Sequence, residues 1–244
     1  MREQLGSFLR GCLRRAGLDL KRFTPLNDPH LRRAELMRHE RIDLVLDVGA
    51  NEGQYGCFLR RYGYRGRIDS FEPSSGAFAR LARRAAADPA WEVRRAALGA
   101  HPARAALYVS ENSVSSSLLR PTARLLAAVP GSRAAETEEV EVLTLDGLDP
   151  HPLAPGRRAL LKLDVQGAER DVLSGGTRTL AAVRLIEMEL PLAPLYEGQA
   201  DLRELLDAMG AHGFALASAA PNTIEAATGR LLELDGIFAR EGGP

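Results

Sequence analysis

Ile42-Asp43-Leu44-Val45-Leu46-Asp47-Val48-Gly49-Ala50-Asn51-Glu52-Gly53-Gln54-Tyr55 decides the fold. An apolar run of strand length meets a Gly-containing turn, and Tyr55-Gly56-Cys57-Phe58-Leu59-Arg60-Arg61 then reads as the start of a helix. In α/β proteins such a junction is where nucleotide-like ligands sit, because glycine lets the backbone approach the ligand and the helix start offers free N–H groups. Gly49, Gly53 and Gly56 are spaced G-x-x-x-G-x-x-G, whereas a dinucleotide fingerprint needs G-x-G-x-x-G. Asp47 sits where an aminium or a ribose hydroxyl is welcome and a pyrophosphate is not. The expected ligand is a cationic, phosphate-free nucleoside, and S-adenosylmethionine fits that description.

Outward from this junction the chain alternates strand and helix, the mark of a mostly parallel sheet covered on both faces. Strands are expected at 42–48, 67–72, 91–98, 105–110, 140–145, 159–163 and 183–189. A helix carrying Phe78, Leu81 and Ala82 follows the second strand, one helix runs from Glu169 through Leu180, and another spans 201–209. The segments 214–218 and 231–239 lie close in sequence and read as an antiparallel hairpin at one sheet edge. This pattern suits a Rossmann-like, seven-stranded class I methyltransferase sheet better than a plain dinucleotide fold. Residues 41–244 form that domain, with 119–139 as a lid over the acceptor.

Residues 1–40 read as an Arg-rich helical leader. Leu5, Phe8, Leu9, Cys12, Leu13 and Leu20 recur at helical spacing, Thr24-Pro25-Leu26-Asn27-Asp28-Pro29 breaks the pattern, and a second helix spans 29–39. A basic amphipathic helix can lie on a membrane surface. Packing on its own domain, or on a second subunit in a homodimer, is the favoured expectation.

Thirty-two basic residues balance thirty-two acidic ones, so no global field favours nucleic acid or an anionic membrane. Cys12 and Cys57 have no metal-ligand spacing and read as reduced, buried or half-buried thiols. No apolar run reaches the length of a membrane span, and Arg10, Arg14 and Arg15 interrupt any signal-peptide core, so a cytoplasmic protein is expected. Of the basic residues only Lys21 and Lys162 are lysines, which draws attention to a lysine near a strand end.

Glu72 ends the second strand, where a carboxylate can accept both hydroxyls of a ribose. Asp47, Glu72, Leu98 and Asp164 are all expected on the rim at the carboxyl ends of the strands, where open sheets bind ligands. The second dense stretch is Leu160-Leu161-Lys162-Leu163-Asp164-Val165-Gln166-Gly167-Ala168-Glu169. Methyl transfer to a hydroxyl needs a positioned acceptor and a group to take its proton, and Asp164 is the first choice for that group, with a helix cap as its plainer reading. Lys162 would pair with Asp164 or Glu187, or lower a substrate hydroxyl's pKa by its charge. Glu187 and Glu189 interrupt a buried strand and share one face. With Asp164 they would hold a divalent cation, position a substrate polyol, or pair with Lys162 and an arginine; the cation is not favoured, since no histidine or further Asp supports it. Asn112, Ser113, Ser115 and Ser116 lie in a polar loop that would bind sugar-like hydroxyls or serve as a turn and helix cap. The five histidines, His30, His39, His101, His151 and His212, fall away from strand ends and receive no catalytic role.

At these residues the sequence resembles the FkbM family of S-adenosylmethionine-dependent methyltransferases. The matching blocks run from Asp47–Tyr55 through Phe71-Glu72-Pro73, Asn112–Leu118, Val142–Asp146 and Leu161–Glu169 to Ile186–Glu189, in that order. Ser74-Ser75 is a mild departure, where a second proline often occurs. The resemblance implies a class I fold and O-methylation of a hydroxyl on a small-molecule or glycan acceptor: a sugar, glycolipid or secondary metabolite. It implies that Asp47, Gly49, Asn51, Gly53 and Glu72 hold the cofactor and that Asp164 and the Ser-rich loop face the acceptor; Tyr55, Pro73, Leu98 and Asp164 are also expected around the cofactor. Asp164, Lys162 and Glu187 would act in catalysis, and Asn112, Ser113, Ser115, Ser116, Gln166 and Glu189 would face the acceptor. Two rivals stand beside this reading: a nicotinamide-dependent oxidoreductase or epimerase, against which the missing G-x-G-x-x-G counts, and a non-catalytic scaffold.

Overall fold

In the computed structural model, which describes residues 13–18, 23–154 and 156–242, the strand expected at 42–48 forms as β1 (Leu44–Val48), buried along its whole length. Before it comes α1 (Pro29–His39), started by Asp28, whose side chain accepts from the Leu31 N–H at 2.8 Å, and by Pro29 in the first turn. After it come α2 (Gln54–Arg61), β2 (Arg67–Phe71), α3 (Ser75–Ala85) and β3 (Trp91–Arg94). The chain continues through β4 (Ala97–Leu98), β5 (Ala103–Ser110), α4 (Ala123–Ala128), β6 (Ala134–Leu143) and β7 (Ala159–Leu163). It then forms α5 (Glu169–Ser174), α6 (Thr177–Ala182), β8 (Val183–Pro191), α7 (Leu202–Ala211), β9 (Phe214–Pro221), β10 (Ile224–Glu225), β11 (Arg230–Leu231) and β12 (Glu233–Arg240).

Seven strands make one sheet in the order β3-β2-β1-β7-β8-β12-β9, all parallel except β12, which runs antiparallel to both neighbours. This is the class I methyltransferase fold. The order reverses direction between β1 and β7, so a crevice opens above their carboxyl ends. Alternation along the strands separates two apolar layers. Val45, Leu160 and Leu185 face the side covered by α1, α2 and α3, through Met37, Leu59 and Leu81. Leu46, Leu161 and Ile186 face the opposite side, covered by α5, α6 and α7 through Val172, Leu180 and Met209.

Three expected elements differ. The strand expected at 91–98 breaks after Arg94, and β4 leaves the main sheet to pair with β6, which pairs in turn with β5 in a three-stranded sheet. The helix expected to run through Leu180 is two helices, because a Cβ on Gly175 would lie 2.1 Å from the Gly99 carbonyl oxygen; the chain must pass here as bare backbone. Of the stretch 119–139, residues 134–139 are strand, and Leu125 packs on Leu195 and Tyr196. The small sheet is tied to α3 through Glu138, which accepts from the Ser75 N–H at 3.0 Å and the Ser75 hydroxyl at 2.9 Å. The serine found where a second proline often occurs thus contributes two donors to a join that proline could not make.

The leader's second helix is built into the domain. Arg32 donates to the Ser218 hydroxyl at 3.1 Å, and Glu40 just past the helix accepts from Arg158 at 2.9 Å and Arg184 at 3.0 Å. The expected first leader helix falls largely on residues 1–12 and 19–22, which lie outside the described residues, as does Cys12. Cys57 is free and exposed rather than buried, because α2 turns Gly56 and Leu59 to the core and leaves Cys57 on its outer side. Among the described residues no helix is long and apolar enough to cross a membrane.

Candidate active site

A cavity of about 440 Å³ opens over the tips of β1, β2 and β7, within the size range of small-molecule sites. Its floor is the turn after β1. The Gly49 and Ala50 N–H groups both donate to the Phe71 carbonyl at 3.0 Å, and the Asp164 N–H donates to the Val48 carbonyl at 3.0 Å. Gly49 has φ +78°, and a Cβ there would lie 1.8 Å from the Asp164 carbonyl oxygen. Only glycine allows the two strand tips to come this close. Three non-glycine residues at the cavity also sit in the left-handed region: Asn51 (φ 47°), Ser113 (φ 60°) and Gln166 (φ 55°). Such conformations cost free energy and persist where the surroundings hold them, as at ligand sites.

Glu72 stands at one wall, accepting from the Asn51 N–H at 2.8 Å on one oxygen and the Ser74 N–H at 2.8 Å on the other. Burial pushes its carboxyl up to about 7; the two N–H donors and the Lys162 charge work against that rise. Pro73, Ala97, Leu98 and Leu107 continue the wall as an apolar surface.

Lys162 lies at the centre. Its ammonium is 3.2 Å from Asp47 Oδ1, 3.1 Å from Asp164 Oδ2 and 3.2 Å from the Gly49 carbonyl oxygen. Burial alone would lower its pKa, but Asp164 and Asp47 outweigh burial and hold it above the usual lysine range. Lys162 is therefore a fixed cation and not a proton acceptor. Asp47 is fully buried beneath it, accepts from the Ser70 hydroxyl at 3.0 Å, and does not line the cavity. The acidic rim expected from sequence is thus shared with a cation: Glu72 and Asp164 face the cavity, while Asp47 faces Lys162. Of the two partners foreseen for Lys162, Asp164 is taken and Glu187 is not.

Asp164 is 37 % exposed at its side chain, and its second oxygen accepts from Gln166 Nε2 at 2.9 Å. The same amide nitrogen donates to Glu189 at 2.6 Å, and the Tyr196 hydroxyl donates to the Gln166 side-chain amide oxygen Oε1 at 2.6 Å. Glu189 accepts on its other oxygen from Asn222 at 2.8 Å, whereas Glu187 pairs with Arg33 and Tyr55. The three carboxylates weighed for a cation, Asp164, Glu187 and Glu189, therefore do not converge. Among the described residues no group of three or more His, Cys, Asp or Glu side chains could hold a metal ion.

In the polar loop Ser113 and Ser116 line the cavity, while Asn112 and Ser115 knit the loop itself. Asn112 accepts from the Ser110 hydroxyl at 2.9 Å and the Ser115 N–H at 3.0 Å, and donates to the Ser115 hydroxyl at 3.1 Å. Gly49, Asn51, Tyr55, Glu72, Pro73, Leu98, Lys162, Asp164 and Gln166 line the cavity; Gly53, Glu187 and Glu189 do not. No residue of 119–139 lines it. Sequence reasoning missed His30 and Arg33 of α1 and Phe58 of α2, which also line the cavity. The one available signal was Glu187, since a carboxylate in a buried strand demands a cation from somewhere.

The profile of the methyltransferase FkbM domain matches residues 47–216. The chain belongs to the FkbM methyltransferase family. The 2-O-methyltransferase NoeI of Sinorhizobium fredii (strain NBRC 101917 / NGR234) is similar to it, 28% identical over 197 residues that cover 75% of this chain and 76% of that protein. Among solved structures, FkbM from Methylobacillus flagellatus KT superposes with a TM-score of 0.46 at 16% identity, covering 80% of this chain and 43% of that one. This FkbM-family chain thus spans less than half of that protein's length. An rRNA methylase from Streptococcus thermophilus gives a TM-score of 0.48 at 11% identity, covering 91% and 99% of the two chains. The family profile begins at residue 47, so α1, with His30 and Arg33, lies outside it.

Proposed function

We propose that this protein is an S-adenosylmethionine-dependent O-methyltransferase whose acceptor is a hydroxyl of a sugar, glycolipid or secondary metabolite. The observation that carries the reading is the cavity itself, with a glycine floor at Gly49, a buried carboxylate at Glu72 and Asp164 at the reactive rim. The residues present suit the cofactor. Asn51 Nδ2 is buried without a hydrogen-bond partner, and it belongs to a cavity-lining side chain whose backbone N–H already holds Glu72. A donor left in that state is satisfied by a ligand oxygen. Glu72 has lone pairs left for two ribose hydroxyls, and Pro73, Ala97 and Leu98 offer an apolar slot for a purine. Similarity to a 2-O-methyltransferase supports oxygen as the atom that receives the methyl group.

Bound there, S-adenosylmethionine supplies an electrophilic methyl group on a positively charged sulfur. Asp164 would hold the acceptor hydroxyl in line and take its proton as the C–O bond forms and the methyl–sulfur bond breaks, its electron pair leaving with the sulfur. Gln166 fixes the orientation of Asp164, and Lys162 holds its other oxygen. Ser113 and Ser116 supply hydroxyls to neighbouring acceptor groups. Incubation with methyl-labelled cofactor and an acceptor panel of sugars, glycolipids and hydroxylated metabolites tests the reading; label found on nitrogen or carbon overturns it.

Glu72 makes cofactor binding depend on pH. Ribose hydroxyls donate to an ionised carboxylate, so affinity is expected to rise as pH increases through about 7 and then level off. In Glu72→Gln the affinity falls about tenfold, and that pH dependence disappears. Calorimetric titration at pH 5.5 and pH 8 checks both.

Without ligand the sign reverses. Burial raises Glu72, Glu169 and Glu233 each to about 7 and Asp235 to about 6. The folded chain thus holds protons that the unfolded chain releases near the ordinary carboxylate range. Their contribution to stability is present below that range and is lost as pH rises through about 7. Urea midpoints for the free protein are expected to be lower at pH 8 than at pH 5.5; equal midpoints would contradict the burial of these groups.

A further inference from the structure

Strand register leaves Lys162 two carboxylates to choose from. It stands in register between Asp47 on β1 and Glu187 on β8, and all three side chains lie on the sheet face covered by α1 and α2. Lys162 pairs with Asp47 and with Asp164, not with Glu187. Glu187 is already filled. Arg33 Nε donates to one of its oxygens at 2.7 Å, Arg33 Nη2 donates to the other, and the Tyr55 hydroxyl donates at 2.7 Å. The remaining guanidinium nitrogen, Nη1, is 3.2 Å from His30 Nδ1, which must act as the acceptor because an arginine only donates. Both cations also lie over the Tyr55 ring, the Arg33 guanidinium at 5.2 Å and the Lys162 ammonium at 5.1 Å from its centroid.

We infer that Arg33 is a positioning residue: by occupying Glu187 it reserves the Lys162 ammonium for Asp47 and Asp164. The inference follows from charge and burial. Arg33 and Glu187 are both nearly sealed from solvent, at 10% and 8% side-chain exposure. A buried carboxylate stripped of its cation is left as an uncompensated charge at high cost. Lys162, its cross-strand neighbour in register, is the cation placed to meet Glu187. A lysine turned toward Glu187 releases one oxygen of Asp164 and leaves Asp47 facing no charge. The helix that carries Arg33 lies outside the family's matched segment, yet it sets the direction of the cation at the centre of the cavity. The kinetic consequence rests on Asp164 acting on the acceptor, as proposed above; the lysine geometry does not.

The chain has only two lysines, Lys21 and Lys162, so lysine-selective labelling gives a spectrum with two sets of side-chain signals. In the free wild-type protein the Lys162 Cε–H signals are expected to be displaced by the Tyr55 ring current and the Lys21 signals not. Arg33→Met should move the Lys162 signals and lower kcat about tenfold, with a much smaller change in the acceptor KM. The double variant R33M/E187Q removes the competing carboxylate while leaving an amide oxygen for the Tyr55 hydroxyl. It should return the Lys162 signals to their wild-type position and recover most of the lost kcat. Signals unmoved in R33M overturn the inference, and so does a double variant no better than R33M. If R33M does not fold, the double variant decides alone: native Lys162 signals support the role, displaced ones overturn it. Should no acceptor be methylated by the wild-type protein, the function fails while the lysine spectra still settle the positioning.

Discussion

Asp164→Asn is expected to cut turnover by about 10²- to 10⁴-fold, the usual contribution of a positioned general base. Asparagine keeps the shape of the side chain and can still accept from Gln166 or face Lys162, but it cannot take a proton. Cofactor affinity should change little, because Glu72, Asn51 and the Gly49 turn are untouched. Steady-state kinetics with calorimetric binding separates the two effects. Turnover within a few-fold of wild type would reduce Asp164 to a structural partner of Lys162 and shift the search for a proton acceptor elsewhere on the rim.

Gly49→Ala is expected to have the largest effect on the folded state. The new Cβ would fall 1.8 Å from the Asp164 carbonyl oxygen, and the φ of +78° is one that alanine adopts only with strain. The obstacle is backbone on the neighbouring strand, so no side-chain rotation relieves it. Together these cost about 3 kcal/mol, which lowers the melting temperature of a chain this size by about 6–12 °C. Because the shift would part the tips of β1 and β7, cofactor affinity should fall as well. A melting temperature within about 2 °C of wild type would mean the two tips are not packed as described.

The fold was legible because its signals are local. The apolar run before Gly49, the Gly turn and the recurring strand–helix alternation each lie within a dozen residues, and the late antiparallel strand follows from a short connection. Where residues 91–98 were read as one strand, the break lies at Arg94–Arg95, and pairing with Val142 and Leu143 draws Ala97 and Leu98 to a different sheet. That pairing is long-range and leaves no mark on the strand's own composition. The candidate site divides the same way. Gly49, Glu72 and Asp164 were readable because each ends a strand, whereas Arg33 and His30 belong to a helix with no visible link to the sheet. Arg33 meets Glu187 across 154 positions. Asp47 shows a third limit: it stands near the strand end as read, but period-two reasoning does not reveal that a lysine on the next strand lies between it and the cavity.

The two sheets have one lasting consequence. The floor of the cavity belongs to the seven-stranded sheet, while Leu107 comes from β5 of the small one and Ser113 and Ser116 from the loop after it. That unit is joined to the rest at Ala97–Leu98, at the Ser75–Glu138 clasp, and through Ser113 to Asn51, Ser117 to Gln166 and Thr122 to Leu195. Changes at Val114 and Ser116, whose side chains line the cavity, can therefore redraw its mouth while the turn after β1 and the Glu72 wall keep their hydrogen bonds. Such an arrangement lets the opening vary through a few side chains of one loop without disturbing the strand tips beneath.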